Sequence, residues 1–173
     1  EDAPYSEKSK CNPINYYGVT KLKTDEYLLS RNDNKVIVAR PITMYGKVPE
    51  GGRPNPVSMI IEKLQANQAL NLVDDVFVNI LYVGDLVRVI EQLIIIEFSG
   101  LINVSGNEIY SRYELGLEIA SLLGINGDLI NSVTSTEFKT IAKRPRNTSF
   151  DNNLMNSLGV EAKHLREVVV SLA

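Results

Sequence analysis

The sequence has one cysteine, no tryptophan and no long hydrophobic run, and each scarcity narrows the class of protein. A lone thiol, Cys11, cannot form an internal disulfide, so we expect an intracellular, cytoplasmic protein. The longest aliphatic run, Leu93-Ile94-Ile95-Ile96, lies between charged residues and is too short to cross a membrane. The opening residues, Glu1-Asp2-Ala3-Pro4, are unlike a secretory signal peptide. We therefore expect no membrane partner.

A strong charge of either sign is also lacking. The net charge is −3, whereas a nucleic-acid-binding protein usually shows a basic surface, so we expect no nucleic-acid partner. The adjacent acids Asp74 and Asp75 are more typical of a turn than of a cation site, and we predict no metal. His164 has no acid or nucleophile pattern beside it, so we interpret it as a solvent-facing residue near a helix start.

Strand and helix patterns alternate along the chain, which predicts an α/β fold. The apolar run at 36–39 is typical of a strand buried on both faces of a parallel sheet. A long loop rich in glycine and proline follows at 43–56. Further strands are predicted at 70–73, 76–81 and 101–104, and helices at 13–30, 57–67, 85–97, 111–123, 152–158 and 163–172.

Several helix ends carry capping residues. Asn12 is suited to cap the first helix, with Pro13 in its first turn, and Asp85 is suited to cap the third. Ser111 and Glu114 form a capping box, and Gly124 is placed to end that helix in a left-handed turn.

A glycine-rich phosphate-binding turn between a strand and a helix is missing from the sequence. Such a turn opens a dinucleotide-binding half, whereas Gly51-Gly52 lies in a proline-rich loop and the glycines at 124 and 127 follow a helix. We therefore interpret the chain as the downstream part of a longer protein. We expect the 173 residues alone to be inactive and to bind no dinucleotide tightly.

Tyr17 and Lys21 form the strongest chemical motif. Residues four apart share one face of a helix, so the ammonium can lie beside the phenol. A nearby cation favours the ionised phenol and makes it a better proton donor at neutral pH. Such a donor suits the protonation of a ketone oxygen while hydride reaches the carbon.

Five stretches in their order resemble the extended short-chain dehydrogenase/reductase superfamily, and within it the dTDP-4-dehydrorhamnose reductase branch. The stretches are Pro4 to Glu7 with Asn12 to Lys21, Val38 to Gly46, Tyr82 to Val87, Gly100 to Gly106 with the Ser111 helix, and Ala142 to Asp151. The resemblance implies the C-terminal part of a Rossmann-like, doubly wound and mostly parallel fold with a small substrate-binding subdomain. It assigns residues 1–45 to the dinucleotide-binding fold and 46–173 mainly to substrate binding, with 76–104 returning to the Rossmann sheet.

The resemblance also implies roles for individual residues. Tyr17 would be the general acid, and Lys21 would tune it while binding the nicotinamide ribose of NAD(H) or NADP(H). Arg40, Pro41 and Ile42 would line the nicotinamide side. The third catalytic residue, a serine or threonine, would lie upstream of this chain.

The substrate side is expected to hold a nucleotide-sugar. Thr43 occupies a position where the reductases usually carry tryptophan, which separates this chain from their pattern near the sugar. The guanidinium groups of Arg53, Arg144 and Arg146 have the fork geometry that suits phosphate oxygens.

Two alternatives to reduction of a 4-keto sugar stay open. Tyr45 to Val48, Ser105 to Glu108 and the Arg144 to Asn147 run also resemble the regulatory β subunit of methionine adenosyltransferase, which would make methionine adenosyltransferase the partner. The same Tyr/Lys chemistry also serves NAD-dependent nucleotide-sugar epimerases and dehydratases. A homodimer is compatible with the family.

Overall fold

The computed structural model describes residues 3–31 and 35–173, and these residues fold into alternating helices and strands. The helices are Tyr16–Leu29 (α1), Pro56–Gln65 (α2), Val83–Ile95 (α3), Arg112–Leu122 (α4), Asn153–Ser157 (α5) and Leu165–Val168 (α6). The strands are Ile37–Pro41 (β1), Thr43–Tyr45 (β2), Leu70–Val73 (β3), Phe77–Tyr82 (β4), Gly100–Val104 (β5), Ile109–Ser111 (β6) and Ile130–Val133 (β7). No helix within the described residues is both long and apolar enough to cross a membrane.

Parallel pairing dominates the sheets. β1 pairs with β5 in parallel, from Ile37 opposite Gly100 to Pro41 opposite Val104. β2 pairs with β4 and β3 pairs with β7, both in parallel, while β6 pairs with β4 in the antiparallel sense. These parallel pairs with intervening helices confirm the predicted α/β, Rossmann-like class.

Two hydrophobic cores form on opposite sides of β4. Ile80 belongs to the core built by α2, α4, β3 and β7, whereas the next residue, Leu81, belongs to the core built by α3, β5 and α5. Successive strand residues point to opposite faces, so one strand can serve both cores. The Ile42 N–H, between β1 and β2, donates to the Val104 carbonyl at 3.1 Å, so the ends of β1 and β5 and the start of β2 lie close together. The division into domains at residue 45 stays a prediction.

Three short strands were not predicted from the sequence. β2 lies inside the predicted long loop, β6 ends at the Ser111 cap, and β7 was not expected. Each has only three or four residues, which is too short for a period-two pattern to stand out. Pairing with β4 stabilises β2 and β6, and pairing with β3 stabilises β7, so the partner strand rather than local sequence stabilises each of them.

Two capping predictions were wrong and two were right. α1 begins at Tyr16 and is capped by Asn15, whose Oδ1 accepts the Gly18 N–H at 2.8 Å, because the backbone is still extended at Asn15. Asp85 lies inside the first turn of α3, where it is buried, and therefore does not cap it. The predicted box at α4 is present, with Ser111 and Glu114 bonded in both directions. Gly124 follows with a φ of 66°.

Candidate active site

An open cleft of about 900 Å³ lies where α1 meets the ends of β1 and β5. Its wall on the helix side carries Tyr17 and Lys21, and its opposite wall includes part of the segment 145–150. Six of the predicted site residues line the cleft: Tyr17, Lys21, Arg40, Pro41, Ile42 and Thr43. The carboxyl ends of parallel strands are a common position for ligand sites in open α/β folds.

Tyr17 and Lys21 lie on one face of α1, as their spacing predicts. The Lys21 ammonium is 5.6 Å from the centroid of the Tyr17 ring, within the range of a cation–π contact. The Tyr17 side chain is highly exposed, at 71%, and its hydroxyl makes no hydrogen bond within the described residues. Both polar ends are therefore free to contact a ligand in the cleft.

Arg40 is held by an ion pair that the sequence analysis missed. Its Nε donates to Asp25 Oδ2 at 2.7 Å, and both side chains are mostly buried. One sequence signal was available, because Tyr17, Lys21 and Asp25 follow one another at intervals of four and share a helix face. Arg40 Nη2 also lies 3.6 Å from the Cys11 Sγ, so the guanidinium is fixed at the edge of the cleft.

The floor of the cleft contains Asn103, another residue that sequence reasoning missed. Its backbone N–H donates to Glu7 Oε1 at 2.8 Å, and its Nδ2 donates to the Tyr5 carbonyl at 3.2 Å. Its Oδ1 is buried and has no hydrogen-bond partner among the described residues. A polar residue within an otherwise apolar strand was the available signal. These bonds hold the N-terminal loop against β5.

The predicted phosphate-binding arginines are placed unequally. Arg144 and Arg146 are exposed on the segment whose Pro145 and Asn147 line the cleft. That segment is tied to α1, because Asn15 Nδ2 donates to the Lys143 carbonyl at 2.9 Å. Arg53 is exposed on the Gly/Pro loop and does not line the cleft.

Tyr45, a member of the core built by α2, α4, β3 and β7, and Tyr110, which packs against that core, both have a raised pKa. Burial, and then the charge of Asp85, raise the pKa of Tyr45 well above its ordinary value. Burial, and then Glu108, raise the pKa of Tyr110 to about 12. Both phenols therefore stay neutral near pH 7, and neither lines the cleft.

Other polar residues of interest have structural partners. Asp75 accepts from the N–H and the hydroxyl of Ser135, and the Ser135 N–H contributes most to holding its pKa below the ordinary value. His164 lies 2.8 Å from Glu108 through its Nδ1. The part of the chain that the structure describes contains no cluster of three or more acidic, histidine or cysteine residues suited to a metal ion.

The parallel strands and the cleft at their ends define a Rossmann-like fold of the dehydrogenase/reductase type. Residues 1–173 match the RmlD substrate binding domain, and the chain belongs to that family.

Comparison with individual proteins separates two kinds of relative. The chain is 28% identical over 163 residues to methionine adenosyltransferase 2 subunit beta of Bos taurus, which covers 91% of this chain and 48% of that protein. The solved dTDP-4-dehydrorhamnose reductase of Yersinia enterocolitica is similar with a TM-score of 0.87 and 25% identity, covering 98% of this chain and 61% of that one. The Bacillus anthracis str. Ames enzyme of the same name, solved in complex with NADP, has a TM-score of 0.81 and 25% identity over 96% of this chain and 57% of its own. The chain spans about half the length of the curated relatives it matches.

Proposed function

We propose that the whole protein reduces the 4-keto group of a nucleotide-linked deoxysugar with NADPH or NADH, and that Tyr17 supplies the proton. The observation that carries this proposal is the position of Tyr17 and Lys21, side by side on the cleft wall and facing the ends of β1 and β5. The similarity to dTDP-4-dehydrorhamnose reductases supports the choice of reaction class.

A nicotinamide cofactor fits the side chains present. The Tyr17 hydroxyl and the Lys21 ammonium make no hydrogen bonds within the described residues, so both are free to bind the hydroxyls of a ribose. Pro41 and Ile42 offer an apolar surface suited to a nicotinamide ring. The cofactor, which the Bacillus anthracis relative holds as NADP, would supply hydride.

The chain's own residues would perform the proton transfer and the positioning. Tyr17 would donate to the carbonyl oxygen as negative charge develops there, and Lys21 would stabilise the phenolate that remains. The ion pair with Asp25 would keep Arg40 at the nicotinamide side of the cleft. A group held by such a pair needs little reorganisation when a ligand binds.

The substrate would extend from the cleft toward the segment 143–148. Thr43 lines the cleft near the position proposed for the sugar. Arg144 and Arg146 are exposed beside it and carry the charge that phosphate oxygens require. Arg53 would contribute only a more distant positive charge. Residues 46–173 would thus supply most substrate contacts, and residues 1–45 most cofactor contacts.

One assay separates reduction from the related reactions. The whole protein is mixed with a dTDP-4-keto-6-deoxy sugar and NADPH, and the absorbance of the reduced cofactor is followed. Stoichiometric oxidation is expected for the reductase. An epimerase returns the hydride to its product, so sugar conversion without net oxidation would contradict the proposal.

A non-catalytic role is the second candidate, and a specific observation favours it. Methionine adenosyltransferase 2 subunit beta is 28% identical to this chain over 91% of its residues. Under this alternative the whole protein binds methionine adenosyltransferase and performs no turnover. Co-purification of the two proteins, together with no cofactor oxidation, would favour it over the reductase.

A further inference from the structure

Cys11 is an exposed thiol that lines the cleft between α1 and the ends of β1 and β5. The Arg40 Nη2 donates to its Sγ at 3.6 Å. The Nε of the same guanidinium is bound to Asp25 at 2.7 Å, so the group is held beside the sulfur. Reactive cysteines are generally found at partly exposed positions next to cationic groups. The proposed proton transfer leaves this thiol without a role.

The charges around the thiol favour an anionic ligand. Lys10, Lys21 and Arg40 line the cleft together with Cys11. Among the described residues that line it, Asp25 is the single acid, and its carboxylate is already paired with Arg40. Clefts lined by one sign of charge attract molecules of the opposite sign and raise their rate of encounter.

Asn103 gives independent evidence for a ligand in this part of the cleft. It lies opposite Arg40 in the pairing of β1 with β5, and it lines the same cleft. The residue is only 1% exposed, and its Oδ1 has no hydrogen-bond partner within the described residues. A buried acceptor without a donor is costly, and an N–H group of a bound molecule would satisfy it.

We propose that Cys11 is a site of reversible modification by a negatively charged, amide-containing, low-molecular-weight disulfide such as oxidised glutathione. The Cys11 sulfur attacks one sulfur of this disulfide and forms a mixed disulfide, while the original S–S bond breaks. Cys11 is thereby oxidised, and the other half of the reagent is reduced to a thiol that takes up the proton lost by Cys11. The carboxylates of the adduct bind Lys10 and Arg40, and one of its amide N–H groups donates to the Asn103 Oδ1.

The adduct would obstruct the side of the cleft proposed for the nicotinamide. Pro41 and Ile42 directly follow Arg40 and line the same cleft. Modification of Cys11 should therefore exclude the dinucleotide, and reduction of the mixed disulfide by an added thiol should restore its binding. This consequence rests on the proposed function, whereas the modification itself does not.

Incubation of the whole protein with oxidised glutathione, followed by peptide mass spectrometry, tests the site directly. We expect glutathione on Cys11 and its removal by dithiothreitol. Cystamine, a disulfide of positive charge, tests the charge argument. At low ionic strength, the ratio of the glutathione rate to the cystamine rate at Cys11 should be about tenfold higher in the folded protein than in urea. The difference should largely disappear in about 1 M salt, which screens the charges.

Ser121→Cys in a Cys11→Ser background is the matched control. Ser121 is exposed on α4, in a groove whose charged lining residues are the acids Glu114 and Glu118. A thiol at that position should show the opposite preference and react faster with cystamine, because the surrounding carboxylates repel glutathione.

The inference would be overturned if Cys11 formed no adduct, or if its rate ratio at low ionic strength were the same in the folded and the unfolded protein. In an active protein, oxidised glutathione should slow NADPH oxidation, and Cys11→Ser should remain active in its presence. An adduct on Cys11 with the expected charge preference, in a protein that oxidises no NADPH, would contradict the proposed function and leave the modification site standing.

Discussion

Helices α1 and α4 are held in the fold in opposite ways. α1 has 14 residues and buries none of them, whereas α4 has 11 and buries Leu115, Gly116, Ile119 and Ala120. α4 is therefore part of the core that α2, β3 and β7 also build. α1 leaves Tyr17 exposed and is held by contacts of Asn15, just before its first residue, and of Asp25 on one face.

Polar contacts fix α1 in place of a hydrophobic face. Asn15 caps the helix and binds the Lys143 carbonyl, and Asp25 pairs with Arg40 at 2.7 Å. A helix without a buried face depends on such contacts, since most helical stability in proteins comes from packing. The comparison teaches that the catalytic candidates lie on the helix whose side chains contribute least to the core.

The largest expected effect is on α4. Ile119→Ala removes a fully buried side chain and should lower the free energy of unfolding by about 2–5 kcal/mol. The matched change on α1, Tyr27→Ala, removes a mostly exposed ring and should cost within about 0.5 kcal/mol. Urea denaturation measures both. Equal losses would contradict the contrast between the two helices.

We expect the second-largest effect on stability from the ion pair between Asp25 of α1 and Arg40. Asp25→Asn leaves the mostly buried Arg40 without its anion and should cost about 1–3 kcal/mol, and it should also weaken cofactor binding by the whole protein. Glu26→Gln, on the exposed side of the same helix, is the control. Denaturation and cofactor titration give the two readouts. If both variants behave alike, the pair does not position Arg40.

The cap of α1 should have a smaller effect. Asn15→Ala removes the acceptor for the Gly18 N–H and should cost about 1 kcal/mol. Asn12→Ala, in the loop before the helix, should change the free energy of unfolding by only a few tenths of a kcal/mol. Thermal unfolding followed by circular dichroism compares them. If Asn12→Ala lost more stability than Asn15→Ala, the result would support Asn12 as the cap, as predicted from the sequence.

We expect the smallest effect on stability near neutral pH from Tyr45, which is a buried core residue. Its pKa is raised on folding, so above about pH 10 the unfolded chain loses this proton while the folded protein keeps it. Stability should therefore fall as pH rises through that range. Tyr45→Phe removes the titrating group and should reduce the fall in stability above about pH 10 in denaturant titrations. An unchanged pH dependence would show that Tyr45 does not contribute.

Much of this contrast was predictable from sequence. The apolar run of β1, the Ser111–Glu114 box and the spacing of Tyr17 and Lys21 are local signals, and the structure agrees with each in position. Resemblance to the reductases located the Tyr/Lys helix and the following strand in one site, and the family match confirmed that resemblance.

The remainder depends on contacts between distant segments. The Asp25–Arg40 pair joins a helix to the end of a strand, and Asn103 meets Tyr5 and Glu7 across nearly a hundred residues. The burial of the Arg112 Nη1 without a hydrogen-bond partner is likewise visible only in the folded chain. No local pattern encodes which charges lack partners in the folded chain.

The central claim is that the Tyr17 hydroxyl is the proton donor. Tyr16, which is adjacent and 82% exposed, supplies a matched control for its removal. General acid catalysis contributes roughly 10²–10⁴-fold, so Tyr17→Phe in the whole protein should slow single-turnover oxidation of NADPH by that factor, while Tyr16→Phe should react at the wild-type rate. Equal rates in the two variants would contradict the assignment.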